Sequence, residues 1–221
     1  MPDVARPDVM FDLCVQREYL SSCGVRPCLN AAEITPNLKQ LIAFARLTGV
    51  RVLSCVDTRR PNDIGADWLE VDSRVRPEER KAPFSLLPDH GLVESDNCLS
   101  VALDILNQHQ QTIFTKYHRD PYTNPKLDRL LTEMPAGRFV VFGMPLETSL
   151  RILVLGLIRR GRSVVVIDDA CGYWDADQAS LVLRQLHVKG ALLMKTEPFI
   201  RSEFDRAKGL TARVRSRRSV A

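Results

Sequence analysis

Three apolar runs of this chain end in residues that can carry acid–base or nucleophilic chemistry. The first, DVMFDLC, continues into VQREYL and places Asp12, Cys14 and Gln16 at alternate positions, with Tyr19 just beyond. In a strand alternate side chains share a face, so a carboxylate, a thiol and an amide would stand together at a sheet edge. A second run, QTIFT, ends at Lys116 in TKYHRDPYTNPKL. A third, GRFVVFG, leads through GMPLETSL to Ser149. A hydroxyl in the first turn of a helix feels unpaired N–H groups and the positive end of the helix dipole, a setting that favours negative charge on a nucleophile or a ligand. A lysine at the end of a neighbouring strand would reach the same place.

The elements that must position these groups are legible from periodicity. Short β-branched or apolar runs recur at DVMFDLC, GVRVLSCV, QTIFT, GRFVVFG, RSVVVID and GALLM, and read as six buried parallel strands. Between them, TPNLKQLIAFARLTG has Thr35 as a cap, Pro36 at the first helical position and Gly49 as the stop. NPKLDRLLTEM opens on Pro125 and spaces Leu127, Leu130, Leu131 and Met134 as one helical face. DADQASLVLRQLHVKG has a capping pair in Asp175 and Gln178 and ends at Gly190. From Glu147 to Arg160 the pattern is apolar on nearly every side, which predicts a largely buried helix.

Strands alternating with helices require crossovers that cover both faces of a parallel sheet. The fold class is therefore α/β, a three-layer α/β/α arrangement around a mainly parallel six-stranded sheet. Ligands in such folds bind beyond the carboxyl ends of the strands, where Cys14, Lys116 and Ser149 fall. Residues 1–200 read as one domain, with 57–97 as an irregular insertion or lid and 201–221 as a flexible basic tail.

Composition narrows the function classes. The chain has 221 residues, 45% hydrophobic and 26% charged, with a formal charge of +4. From Arg201 onward seven Lys or Arg oppose Glu203 and Asp205, a local balance of +5 that leaves the remainder at −1. Without interleaved aromatics that tail reads as solvated, and nucleic acid is not the expected partner. The segment MPDVARPD carries no apolar h-region and no run approaches a membrane span, so the expected location is cytoplasmic. Six scattered cysteines suit reduced thiols, and the pair Cys23 and Cys28 lacks partners for a zinc site.

FDLCVQREYL, TKYHRDPYTNPKLDRLL and FVVFGMPLETSLRILVLGLIRRGRSVVVIDDACG resemble, in order and spacing, the signature blocks of the isochorismatase-like cysteine hydrolases, which include nicotinamidases, carbamoylsarcosine amidases and isochorismatases. The resemblance spans about residues 8–196. It places Gln16 and Tyr19 in the pocket, Lys116 at the family's catalytic lysine, and Asp120, Tyr122, Asn124 and Pro125 on a motif of one branch. It also implies a cis peptide at Met144-Pro145, beside backbone N–H groups that bind an oxyanion. The family's general-base Asp falls on Cys14, and its nucleophilic Cys falls on Ser149.

These two departures remove the base and the nucleophile of a unit whose members each contribute heavily to rate. The resemblance with its departures implies a protein impaired in Cys-dependent amide hydrolysis, binding a small ligand or a partner, and assembled as a homo-oligomer as relatives often are. The alternative is an active hydrolase of a small amide or ester. It would use Ser149 with a Lys116 made basic by burial, or Cys14 as nucleophile with its pKa lowered by Lys116. Asp12 could supply a displaced carboxylate, though two strand residues span about 6.6 Å. Nicotinamidases bind a metal through Asp-x-His and a further His; here Asp57, Arg59 and Asp63 occupy that stretch. His90, His109, His118 and His187 stand apart, so no metal and no cofactor are expected.

Overall fold

A computed structural model describes residues 8–218 apart from 25, 59–75, 97 and 136. In chain order the regular elements are β1 Val9–Leu13, α1 Arg17–Leu20, α2 Ala31–Thr48, β2 Arg51–Asp57, α3 Pro77–Arg80, β3 His90–Val93, α4 Ile105–Gln108 and β4 Gln111–Lys116. There follow α5 Pro125–Glu133, β5 Arg138–Gly143, α6 Arg151–Arg159, β6 Ser163–Cys171, α7 Ala176–Val188, β7 Leu192–Met194 and α8 Thr196–Arg218. A π turn, Leu146–Leu150, leads into α6.

The seven strands are all parallel, in the order β3-β4-β2-β1-β5-β6-β7. The sheet is the expected α/β one, with one strand more than the six read from sequence. The extra strand, β3, lies within 57–97; at four half-buried residues it carries no apolar run that could announce it. Residues 59–75 of that segment lie outside the described residues. Its far end is tied down: Gln16 bridges Lys81, and the Ala82 N–H donates to the Val15 carbonyl at 2.9 Å.

The chain leaves β1 toward β2 on one side and returns on the other, where β5 pairs with β1. Ligands of such sheets bind at that reversal; here Asp57, Cys14, Lys116 and Ser149, which gather at the carboxyl ends of β2, β1, β4 and β5, are buried. Right-handed crossovers in opposite directions put α2 on one face and α6 on the other.

Helix α2 starts five residues earlier than the Thr35–Pro36 signal, after Asn30, and Pro36 lies inside it. A proline there keeps a helical φ and removes one N–H; the buried Ala31, Ile34 and Leu38 hold the early turn together. The Asn124 cap of α5 and the Asp175 cap of α7 lie where the sequence puts them. Residues read as a flexible tail from 201 are helical to Arg218, as the greater part of α8. Phe199 is buried and packs edge-on against Phe44 of α2, as does Phe204. Among the described residues no helix is long and apolar enough to cross a membrane.

Candidate active site

β1 ends at Leu13, and Cys14 takes a left-handed conformation, φ 52°. This breaks the alternation that would have put Asp12, Cys14 and Gln16 on one face. Asp12 belongs to a separate buried cluster: Lys81 Nζ donates to its two oxygens at 2.7 and 3.0 Å, and Ser54 Oγ donates at 2.9 Å. Burial raises the Asp12 pKa, with Lys81, Ser54 and Gln111 pulling against it. Asp12 is therefore engaged in tying the Arg80–Leu87 stretch to the sheet, and is not the displaced base considered above.

The carboxylate that meets Lys116 is Asp57, at the end of β2. Lys116, fully buried at the end of β4, donates to Asp57 Oδ1, to the His118 carbonyl at 3.1 Å and to Ser149 Oγ at 3.3 Å. Tyr19 Oη donates to Asp57 Oδ2 at 2.7 Å. Gln16 braces the same residue through its main chain, accepting from the Asp57 N–H at 2.7 Å and donating to the Asp57 carbonyl at 3.3 Å. From sequence Asp57 stands only in the stretch that corresponds to the nicotinamidase metal motif, and not among the residues expected at the site. The available signal was its place at the end of an apolar run, the same signal that marks Lys116.

Burial works to lower the Lys116 pKa, but its surroundings, with the Asp57 carboxylate foremost and Cys14 and Cys55 beside it, hold the ammonium above its ordinary range. An ammonium has three N–H donors and no acceptor. All three are engaged here, and Ser149 Oγ receives one of them. A Ser-Lys dyad needs the opposite, a lysine whose pKa burial has depressed. The Cys14 thiol is pushed well above its usual range, first by burial and then by Asp57, with Lys116 too weak to reverse it. The lowered Cys14 pKa that a nucleophilic role requires is therefore not found. Tyr19 is likewise held as a neutral phenol, by burial and by Asp57.

The walls of the site follow from local sequence. Gly143 has φ 117°, and a Cβ there would lie 2.1 Å from the Leu13 carbonyl oxygen, so only glycine lets β5 run this close to the end of β1. The Met144-Pro145 bond is cis. Ser149 lies in the π turn, buried, and the Leu146 N–H is taken by the Gly172 carbonyl. The Asp120–Pro125 block is a strut: Asn124 donates to the Thr115 carbonyl at 2.8 Å beside Lys116, while its Oδ1 caps α5.

The family model of the Isochorismatase domain matches residues 8–198. The chain belongs to the isochorismatase family. Solved structures of the family's fold superpose on it at low identity, which establishes the fold alone. They include an isochorismatase-like hydrolase from Alkaliphilus metalliredigens (12% identity, TM-score 0.66, 89% of this chain and 98% of that one) and a nicotinamidase/pyrazinamidase from Bacillus subtilis (14%, 0.67, 86% and 100%). The MAR1 ribonuclease of Caenorhabditis elegans is also similar (16%, 0.60, 89% and 80%). No curated protein matches the sequence.

The metal of the family's nicotinamidase branch does not fit the residues described. Both Asp57 oxygens accept from cationic or phenolic donors, and a dication there would face the Lys116 ammonium. Arg59 and Asp63 lie outside the described residues. His90 Nδ1 is 2.7 Å from the Leu87 carbonyl, and His109 meets Asp89. Among the described residues no three His, Cys, Asp or Glu side chains converge as a metal site.

Proposed function

We propose that this isochorismatase-family protein has lost the family's Cys-dependent amide hydrolysis and serves as a ligand-binding or interaction protein. The observation that carries the reading is the state of Lys116, charged by Asp57 and fully engaged as a donor, with Ser149 Oγ accepting from it. A serine hydroxyl attacks a carbonyl only when a base takes its proton, and an ammonium cannot. At position 14, where the family's base would stand, the thiol is held protonated by burial and by Asp57. What survives is a polar centre sealed under the end of the sheet.

The 3.3 Å contact between Lys116 and Ser149 favours a second reading, an active hydrolase of a small amide or ester with Ser149 as nucleophile. Turnover of the purified wild type, Ser149→Ala and Lys116→Ala on a panel of primary amides and short esters separates the two. Equal background rates in all three are expected, with circular dichroism confirming that Lys116→Ala folds. Turnover by the wild type that Ser149→Ala abolishes would establish the second reading and overturn the first.

A further inference from the structure

Helix α6 is apolar on nearly every side, and a helix of that kind is ordinarily covered all round. The fold covers only part of it. Leu153, Val154 and Leu157 are buried, whereas Ile152 and Leu155 stay half-exposed. Helix α7 packs beside α6 and buries Ala179, Val182 and Leu186. On its outer side Asp177, Leu181, Arg184 and Val188 are all exposed, Leu181 by 52% and Val188 by 82%. Their spacing of i, i+4, i+7 and i+11 keeps these four on one narrow stripe of the helix. A single exposed leucine is ordinary; two large apolar side chains on one line with two charges form a surface.

The charges on the stripe are unanswered within the chain. Among the described residues neither the Asp177 nor the Arg184 side chain forms a hydrogen bond or an ion pair. They lie about 10.5 Å apart along the helix axis, with Leu181 between them. A twofold interface must be complementary to itself: if residue i meets j, then j meets i. An acid at one end, a base at the other and an apolar side chain between them meet that condition in the antiparallel sense, because the axis through Leu181 sets each Asp177 against the other copy's Arg184. A parallel pairing would oppose acid to acid and base to base.

We propose that the outer face of α6 and α7 is an isologous docking surface for a second copy of this chain, with α7 antiparallel to α7, Leu181 on the twofold axis and an Asp177–Arg184 ion pair on either side of it. The same contact covers Ile152 and Leu155 and so completes the burial of α6. The surface stands apart from the Lys116 centre and does not depend on whether that centre is catalytic.

Sedimentation velocity of the full chain from about 1 to 100 μM tests it, the range over which a modest interface assembles. The expected result is a monomer–dimer equilibrium. Leu181→Lys should leave only monomer. Asp177→Arg and Arg184→Asp should each weaken the dimer by roughly tenfold or more, since each opposes like charges twice across the axis. The double variant Asp177→Arg with Arg184→Asp should restore the dimer, and the two single variants should pair with each other when mixed. All four substituted positions are exposed, and circular dichroism checks that every variant folds. A wild type that stays monomeric throughout, a dimer that survives Leu181→Lys, or charge reversals that neither weaken the dimer singly nor recover it together would each overturn the proposal.

Discussion

A fully buried ammonium needs an anion in contact, and at Lys116 that anion comes from the strand next to β1. Removing one partner of a buried pair leaves an uncompensated charge, which commonly costs about 3–5 kcal/mol. Asp57→Asn should lower the urea unfolding free energy by about that amount. Cys14 abuts the same pair, and its left-handed backbone suits Asp better than Cys. Cys14→Asp combined with Asp57→Asn should therefore recover most of the loss, because a carboxylate again faces Lys116. Cys14→Asp alone sets two carboxylates around one ammonium and should destabilise. A double-mutant cycle reads the coupling directly; strictly additive effects would show that positions 14 and 57 do not share Lys116. The sequence makes Lys116 and Ser149 visible because each follows an apolar run. It does not reveal that Cys14 turns left-handed, since nothing about a cysteine announces positive φ, and without that turn Asp12 looks like a neighbour of the site.

At the scale of elements, six of the seven strands and the helices α2, α5 and α7 were legible because burial imposes a pattern on them, and α8 was not because its outer part is dominated by arginine. Its docking rests on a few contacts that composition hides: Phe199 and Phe204 against Phe44, and the ion pairs of Arg138 and Arg206 with Glu203 and Asp8. The half-exposed ion pairs should contribute little, and the buried ring most. Phe199→Ala should cost about 3–5 kcal/mol in unfolding free energy, as large-to-small changes of buried aromatics do. Arg206→Ala should cost about 1 kcal/mol or less. A reversed order in chemical denaturation would mean that charge, not the aromatic contact, holds the helix on the sheet. Strand β3 escaped the sequence for the converse reason, being too short and too exposed for burial to shape its pattern.

At the scale of the whole molecule, the buried thiols tie stability to alkaline pH. Burial, the leading cause in each case, raises Cys14, Cys28, Cys55 and Cys171, with Cys28 and Cys55 pushed up to about 12 from the ordinary 9.0. Each group therefore keeps its proton in the folded chain after the unfolded chain has lost it. The unfolded state then binds fewer protons, so stability must fall as pH rises from about 9 toward 12, by up to about 1.4 kcal/mol per pH unit for each thiol. Lys116 acts in the same direction, since its raised pKa holds a proton that the unfolded lysine releases. Below about pH 8 none of these groups differs in protonation between the two states, and the stability they provide is fully present. Urea unfolding of the reduced protein between about pH 8 and 11 should show a flat region followed by a steep decline. Cys28→Ala removes one contributor without touching Lys116 or Asp57, so its curve should start lower, by the lost packing, and fall less steeply by about 1.4 kcal/mol per pH unit above pH 9.5. Parallel curves for wild type and variant would show that Cys28 ionises alike in both states, and would remove burial of the thiols as the source of the decline.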